Sequence, residues 1–134
     1  MVELSVRGND LHIEILGRDK LLGFKSSIEV PLKAIRSLSA AAGLPRFRRG
    51  DIRVLGTGFP RVIAIGTYWI GSPHRWAFLD VRSSSTDVVS LQIEGQFYRS
   101  IIVEVKNAQA AIQLIRGSNG TIALASSPAK PTEQ

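Results

Sequence analysis

Five arginines concentrated in one short stretch are the residues of this chain best suited to bind a charged partner. The stretch runs from Pro45 to Arg61 and holds a single acid, Asp51, so it carries a net charge of +4 out of the chain's +6. Guanidinium groups bind carboxylates and phosphates through paired hydrogen bonds. The sequence therefore predicts a site for an anion or a partner, made by Arg46, Arg48, Arg49, Arg53 and Arg61.

Several interpretations of this basic stretch stay open. A solvated loop is the plainest. The binding alternatives are an acidic protein surface, including a neighbouring subunit, then an anionic membrane or polyphosphate, then nucleic acid. A basic residue near an anionic bilayer contributes about 1 kcal/mol, so the stretch supplies roughly 4 kcal/mol, a millimolar affinity. One copy is expected to bind lipid poorly, whereas an oligomer that presents several copies gains avidity.

The tripeptide Arg49-Gly50-Asp51 is one that some extracellular proteins use to bind integrins. The N-terminal residues MVELSVRGNDLHIEI lack the basic region and apolar region of a signal peptide. No apolar run approaches the roughly 20 residues that span a bilayer. We therefore expect a cytoplasmic protein, in which the integrin match is a coincidence.

Residues suited to catalysis are few. The chain has no cysteine, which excludes disulfides and thiolate chemistry. His12 is predicted on the polar side of a strand, as a surface residue, and His74 in a turn, with a structural or surface role. No metal-ligand spacing is present. Gly56, Gly58 and Gly66 fit neither phosphate-binding glycine motif, so we interpret them as glycines that the backbone conformation requires. The sequence predicts no enzyme, no cofactor and no metal.

Apolar residues alternate with polar ones along most of the chain, which indicates antiparallel strands separated by turns. The predicted strands cover residues 2–7, 11–15, 26–30, 34–40, 61–69, 75–81, 87–93 and 98–105. Residues 43–60 are the longest predicted loop, within which 51–56 is either a short strand or a turn. Four aromatic residues are assigned to packing: Tyr68, Trp69, Trp76 and Phe78. Phe47 and Phe59 flank the arginines, a weak indication of base stacking.

The apolar period changes near the C-terminus and predicts one helix over residues 107–117. Ala108, Ala111, Ile112 and Ile115 fall on one face at helical spacing, and Asn107 is a good N-cap. The sequence thus predicts one domain over residues 1–117 and a mobile tail over 118–134, with 121–125 as a segment that docks on the domain.

Four sequence segments carry a family resemblance: IEVPLKAIRSL (28–38), GTGFPRVIAIGTYW (56–69), RWAFLDVR (75–82) and SIIVEV followed by NAQAAIQLI (100–115). They resemble segments of the bacterial pleckstrin-homology (PH)-like domains, in particular of their small uncharacterised members. The resemblance covers roughly residues 1–117. It implies a mainly β fold, a PH-like split barrel of about seven antiparallel strands closed by one C-terminal α-helix.

The family resemblance implies a binding module with no common enzymatic activity. PH-like domains bind inositol phosphates, peptides or other proteins, and bacterial members are often oligomeric. Phosphoinositide-binding members carry basic residues between the first two strands, where this chain has Arg7-Gly8-Asn9-Asp10. We therefore expect protein–protein association, including self-association, with peripheral binding to acidic lipid headgroups or nucleic acid through residues 45–61 as the alternative.

Overall fold

The computed structural model describes residues 1–22, 25–45, 47, 50–59, 62–71, 73–118 and 123–124. In these residues no helix is long and apolar enough to cross a membrane. The helices are α1 (Asp19–Leu22) and α2 (Ala108–Ser118), and a 3₁₀ turn covers Leu32–Ala34. The strands are β1 (Val2–Arg7), β2 (Asp10–Ile15), β3 (Ser27–Pro31), β4 (Ile35–Ala41), β5 (Ile52–Phe59), β6 (Ile63–Gly71), β7 (His74–Arg82), β8 (Val88–Ile93), β9 (Ser100–Glu104) and β10 (Ala123–Leu124).

The strands form two sheets. The small sheet has the order β1-β2-β3 and is antiparallel throughout. The large sheet has the order β10-β4-β8-β9-β7-β6-β5. Its chain path is not a simple meander, because β9 lies between β7 and β8 and runs parallel to β7.

The two faces of the large sheet bury two separate apolar clusters, because successive side chains of a strand point to opposite faces. On β7, Trp76 and Phe78 contact the main core, whereas Ala77 and Leu79 belong to the second cluster. The face of the main core, here called the inner face, packs against the small sheet and α2. The outer face packs against Leu44 and Phe47, which follow β4 in the chain.

The C-terminal helix agrees with its prediction in position and in buried face. Its buried residues are the predicted set, Ala108, Ala111, Ile112 and Ile115. The amide of Ala110 donates to Oδ1 of Asn107 at 2.9 Å, which confirms the predicted N-cap. Asp87 adds a second cap, since its Oδ1 accepts from the amide of Ala108 at 2.9 Å.

The mainly β fold with a C-terminal helix is therefore confirmed, but the arrangement of the strands differs from the prediction. The described strands form two sheets and do not close into a barrel, and the β7–β9 pair is parallel instead of antiparallel. Within the predicted loop over 43–60, the strand alternative for 51–56 is confirmed and extends further, since Ile52–Phe59 forms the eight-residue strand β5. Within the predicted tail, Ala123–Leu124 docks in parallel on β4, and residues 119–122 and 125–134 lie outside the described residues.

Candidate functional site

Arg53 is the one predicted binding arginine that belongs to the described residues; the other four, Arg46, Arg48, Arg49 and Arg61, lie outside them. Its side chain is exposed, on the outer face of β5. Nη1 of Arg53 donates to the carbonyl oxygen of Gly58 at 3.2 Å. Burial raises the pKa of the neighbouring Tyr68 hydroxyl, and the positive charge of Arg53 opposes that rise.

Phe47 and Asp51, two described residues of the predicted basic stretch, contact the large sheet. The ring of Phe47 stacks on Tyr68 with centroids 5.6 Å apart, so Phe47 packs on the outer face. Oδ1 of Asp51 accepts from the amide of Gly71 at 3.2 Å and lies 3.1 Å from Nε2 of His74. The side chain of Asp51 is only 5% exposed, so the carboxylate that an integrin would bind is turned inward.

A group of apolar side chains on and beside β5 is exposed; we call it the β5 patch. Ile52, Val54, Leu55 and Val62 are each between 47% and 55% exposed. The register of β5 against β6 shifts between Arg53 and Leu55, which leaves Val54 as an extra residue without a partner in β6. In the described part of the chain β5 pairs with β6 alone, so its other edge has no strand beside it.

A second exposed feature is an open groove of about 460 Å³ where the β6–β7 hairpin meets the turn before β9. We call it the aromatic groove. Its aromatic rings contact one another in a row. Trp69 lies 4.9 Å from Trp76, and Trp76 stacks on Phe97 at 5.3 Å with 21° between the ring planes. The polar walls of the groove include His74, Arg75 and Arg99.

A cluster of charged groups surrounds two buried carboxyls, those of Asp19 and Asp80, on the inner face of β7. The amino group of Met1 contacts the carboxylates of Asp19 and Asp80, and Arg82 makes two hydrogen bonds to Asp19, at 2.8 and 3.3 Å. Burial alone would raise the pKa of Asp19, but hydrogen bonds from Arg82, Asp80 and Met1 hold it well below its usual range. Burial, followed by the hydrogen bond with Asp19, raises the pKa of Asp80 to about 7. These contacts join the N-terminus and α1 to β7.

The structure contradicts the predicted surface position of His12. It is 8% exposed in β2, with Nδ1 2.6 Å from Oε2 of Glu29 and Nε2 3.3 Å from Oε1 of Glu14. The cross-strand pairing of His12 with Glu29 explains the contact. His12 thus links β2 to β3. His74 is half-buried beside Trp69.

A largely apolar cleft of about 520 Å³ lies between β1 and α2. Leu4 and Ala111 line it, and Leu16 and Leu114 stand at its walls, each a little more than one-third exposed. Within the described residues nothing fills it.

The aromatic groove is the feature that the sequence does not predict. The sequence pattern assigns Trp69 and Trp76 to packing and gives Phe97, in a turn, no role. The signal that could have found the groove is the alternation of aromatic and basic residues in Arg75-Trp76 and in Phe97-Tyr98-Arg99. Comparison of the chain with protein-family models, with curated proteins and with solved structures gives no match.

Proposed function

We propose that this chain is a non-enzymatic binding module that associates with protein, first of all with a second copy of itself. The observation that carries the proposal is the β5 patch. Four exposed apolar side chains gathered at an unpaired sheet edge are unusual on a surface that only meets water. Burying them against a partner removes apolar area from water, which stabilises a complex by about 25 cal/mol per Å² before the costs of association.

A second copy is the partner that the geometry of β5 favours. Two identical strands pair antiparallel about a two-fold axis, so that each presents the same residues to the other. Natural sheet edges avoid such pairing through several charges, a proline or a β-bulge, and of these devices β5 has the bulge at Val54. The strand β5 carries one charge, Arg53, among its eight residues. Arg53 then lies at the rim of the contact, and the basic residues before and after β5 contact acidic groups of the partner.

Light scattering coupled to chromatography tests this proposal. The chain has a mass of 14.6 kDa, and we expect a larger, concentration-dependent mass that persists at high salt because the contact is apolar. Val54→Glu is the informative variant, since Val54 has no partner in β6 and the charge is tolerated in the monomer. It is expected to return the protein to the monomer mass.

Leu114→Glu is the matched control, because Leu114 is also exposed but lies on α2. It should keep the mass of the wild type. A wild type that stays monomeric at all concentrations, or a Val54→Glu variant with the wild-type mass, contradicts the proposal. If the Leu114→Glu variant is a monomer, the interface lies at the cleft between β1 and α2 instead.

The alternative function is peripheral binding to an anionic surface through residues 45–61. The charge of this stretch and the exposed side chain of Arg53 favour it. Sedimentation with vesicles that contain an acidic lipid should then fall when all five arginines are changed to alanine, and unchanged sedimentation would exclude this function.

The proposal includes a relation to PH-like domains. The mainly β fold, the C-terminal helix and the phrases quoted above support that relation. The parallel β7–β9 pair is a departure from the expected antiparallel barrel. An experimental structure that keeps this pair parallel would count against the relation.

A further inference from the structure

Aromatic rings in the aromatic groove are exposed to solvent, although the fold does not require their exposure. Phe97 is 62% exposed, the highest value among the large apolar residues of the described chain. Its ring stacks on Trp76, which is half-buried and in turn contacts Trp69. An exposed ring on this scale costs hydrophobic free energy unless a ligand covers it. A flat ligand can stack on the free face of Phe97 and continue along the groove.

The charges around these rings favour a ligand that is anionic. Arg75 is exposed and Arg99 is half-buried, and both line the groove. Among the described residues neither guanidinium lies within 4.0 Å of a carboxylate, in contrast to Arg36 and Arg82. No described residue that lines the groove is acidic.

We propose that the aromatic groove binds single-stranded nucleic acid, with one base stacked on the exposed face of Phe97, neighbouring bases against the exposed edges of Trp76 and Trp69, and phosphates held by Arg75 and Arg99. Exposed rings beside a cationic track are the arrangement by which proteins hold unpaired strands, because every base has a face that stacks. A duplex keeps its bases stacked inside and offers this groove its phosphates alone. The site adjoins the β5 patch, because Ile52 pairs with Trp69 and Asp51 contacts His74. Its described lining residues nevertheless lie outside the patch and outside residues 45–61, so the proposal does not depend on the proposed function.

The position of the tryptophans gives this proposal a direct readout. The chain has two tryptophans, Trp69 and Trp76, and both line the groove. We expect titration with oligothymidylate, roughly ten nucleotides long and so within the site sizes of small single-strand binders, to quench the intrinsic fluorescence until it saturates. The same oligonucleotide, labelled for anisotropy, gives the affinity. A duplex of equal length should compete at least tenfold more weakly.

Three variants separate stacking from charge. Phe97→Ala removes the exposed ring and is expected to lower the affinity about tenfold or more, since stacking on an aromatic side chain is worth 1–3 kcal/mol per base. Arg75→Ala and Arg99→Ala should each weaken the dependence of log affinity on log salt by about 0.7, as expected for one phosphate contact to a single strand. Arg7→Ala and Leu16→Ala, which remove an exposed arginine and an exposed apolar side chain elsewhere, are the matched controls and should bind as the wild type does.

Several outcomes would overturn the proposal. One is a wild type whose fluorescence and anisotropy do not respond to the oligonucleotide at low salt. Another is a Phe97→Ala variant with wild-type affinity, which would leave charge alone as the cause of binding. A loss on Arg7→Ala equal to that on Arg75→Ala would mean that the net charge, and not the groove, attracts the strand. If Phe97→Ala lowers the melting temperature, the two arginine variants and the tryptophan quenching decide the question.

Discussion

Gly56 and Gly66 face each other across the β5–β6 pair, and neither position has room for a side chain. A Cβ atom on Gly66 would lie 2.0 Å from the carbonyl oxygen of Leu55, and one on Gly56 would lie 2.1 Å from that of Ile65. Gly56 and Gly66 both have positive φ, +126° and +134° respectively, a region that other residues rarely adopt. This glycine pair allows the edge strand β5 to lie close against β6.

Gly66→Ala is expected to destabilise the protein strongly, because the new methyl group meets backbone atoms that cannot move aside. We expect the free energy of unfolding to fall by about 2–4 kcal/mol, measured by urea denaturation. Gly8→Ala is the control: Gly8 also has positive φ, but a methyl group added there would have nothing within 4 Å. It should cost only the backbone strain, about 1–2 kcal/mol. Equal losses at the two sites would contradict the role of the close approach.

Asp80 is expected to make the stability depend on pH. Its pKa is raised by burial from the ordinary 3.8 to about 7 in the fold. Between about pH 4 and 7 the folded protein therefore holds a proton that the unfolded chain has lost. The free energy of unfolding then falls as pH rises through this range, by at most about 1.4 kcal/mol per pH unit.

Asp80→Asn should remove this dependence, since the amide does not titrate. Urea denaturation from pH 4 to 8 is the measurement, and the variant is expected to gain stability relative to the wild type as pH rises. Glu3→Gln, which changes an exposed carboxylate, should keep the wild-type slope. An unchanged slope in Asp80→Asn would assign the dependence to another group. Asp19 acts in the opposite sense at lower pH, because its depressed pKa gives stability that is lost on acidification.

Two of the arginine–carboxylate pairs among the described residues should differ in their contribution to stability. Arg82 binds Asp19, whose side chain is buried, whereas Arg36 binds Glu94 where both side chains are largely exposed. We expect Arg82→Met to lower the free energy of unfolding by about 1.5–3 kcal/mol, as for a hydrogen bond to a charged group. Arg36→Met should cost less than about 1 kcal/mol. Thermal and urea denaturation of both variants at the same pH is the measurement. A loss of stability in Arg36→Met as large as that in Arg82→Met would refute this ordering.

Local patterns predict the elements whose structure depends on near neighbours in the chain. The helix over 107–117 is confirmed because its apolar spacing, its cap at Asn107 and its buried face all lie within eleven residues. The β1–β2 hairpin is confirmed for the same reason. The strand β5 is predicted only as one of two alternatives over 51–56, because two glycines and an arginine interrupt its apolar pattern. Its pairing depends on the glycine opposite, in β6.

The surfaces could not be predicted, because they join residues that are distant in sequence. Trp69, Trp76 and Phe97 come together only when the turn before β9 folds over the β6–β7 hairpin. The burial of His12 likewise depends on Glu29, seventeen residues away and on the next strand of the small sheet. The alternation of apolar and polar residues predicts on which face of a strand a side chain lies, but it does not predict which residues pack against that face.

The position of β9 has a consequence for the order in which the chain assembles. Because β9 lies between β7 and β8, the large sheet cannot be completed until Ser100–Glu104 has been synthesised and inserted. Until then β4 with β8 and β5 with β6 and β7 are two fragments with facing open edges. Such pairing between distant segments slows folding and exposes edges that aggregate. We expect a chain stopped before Ser100 to be captured by chaperones, and the insertion of β9 to be the decisive step of folding.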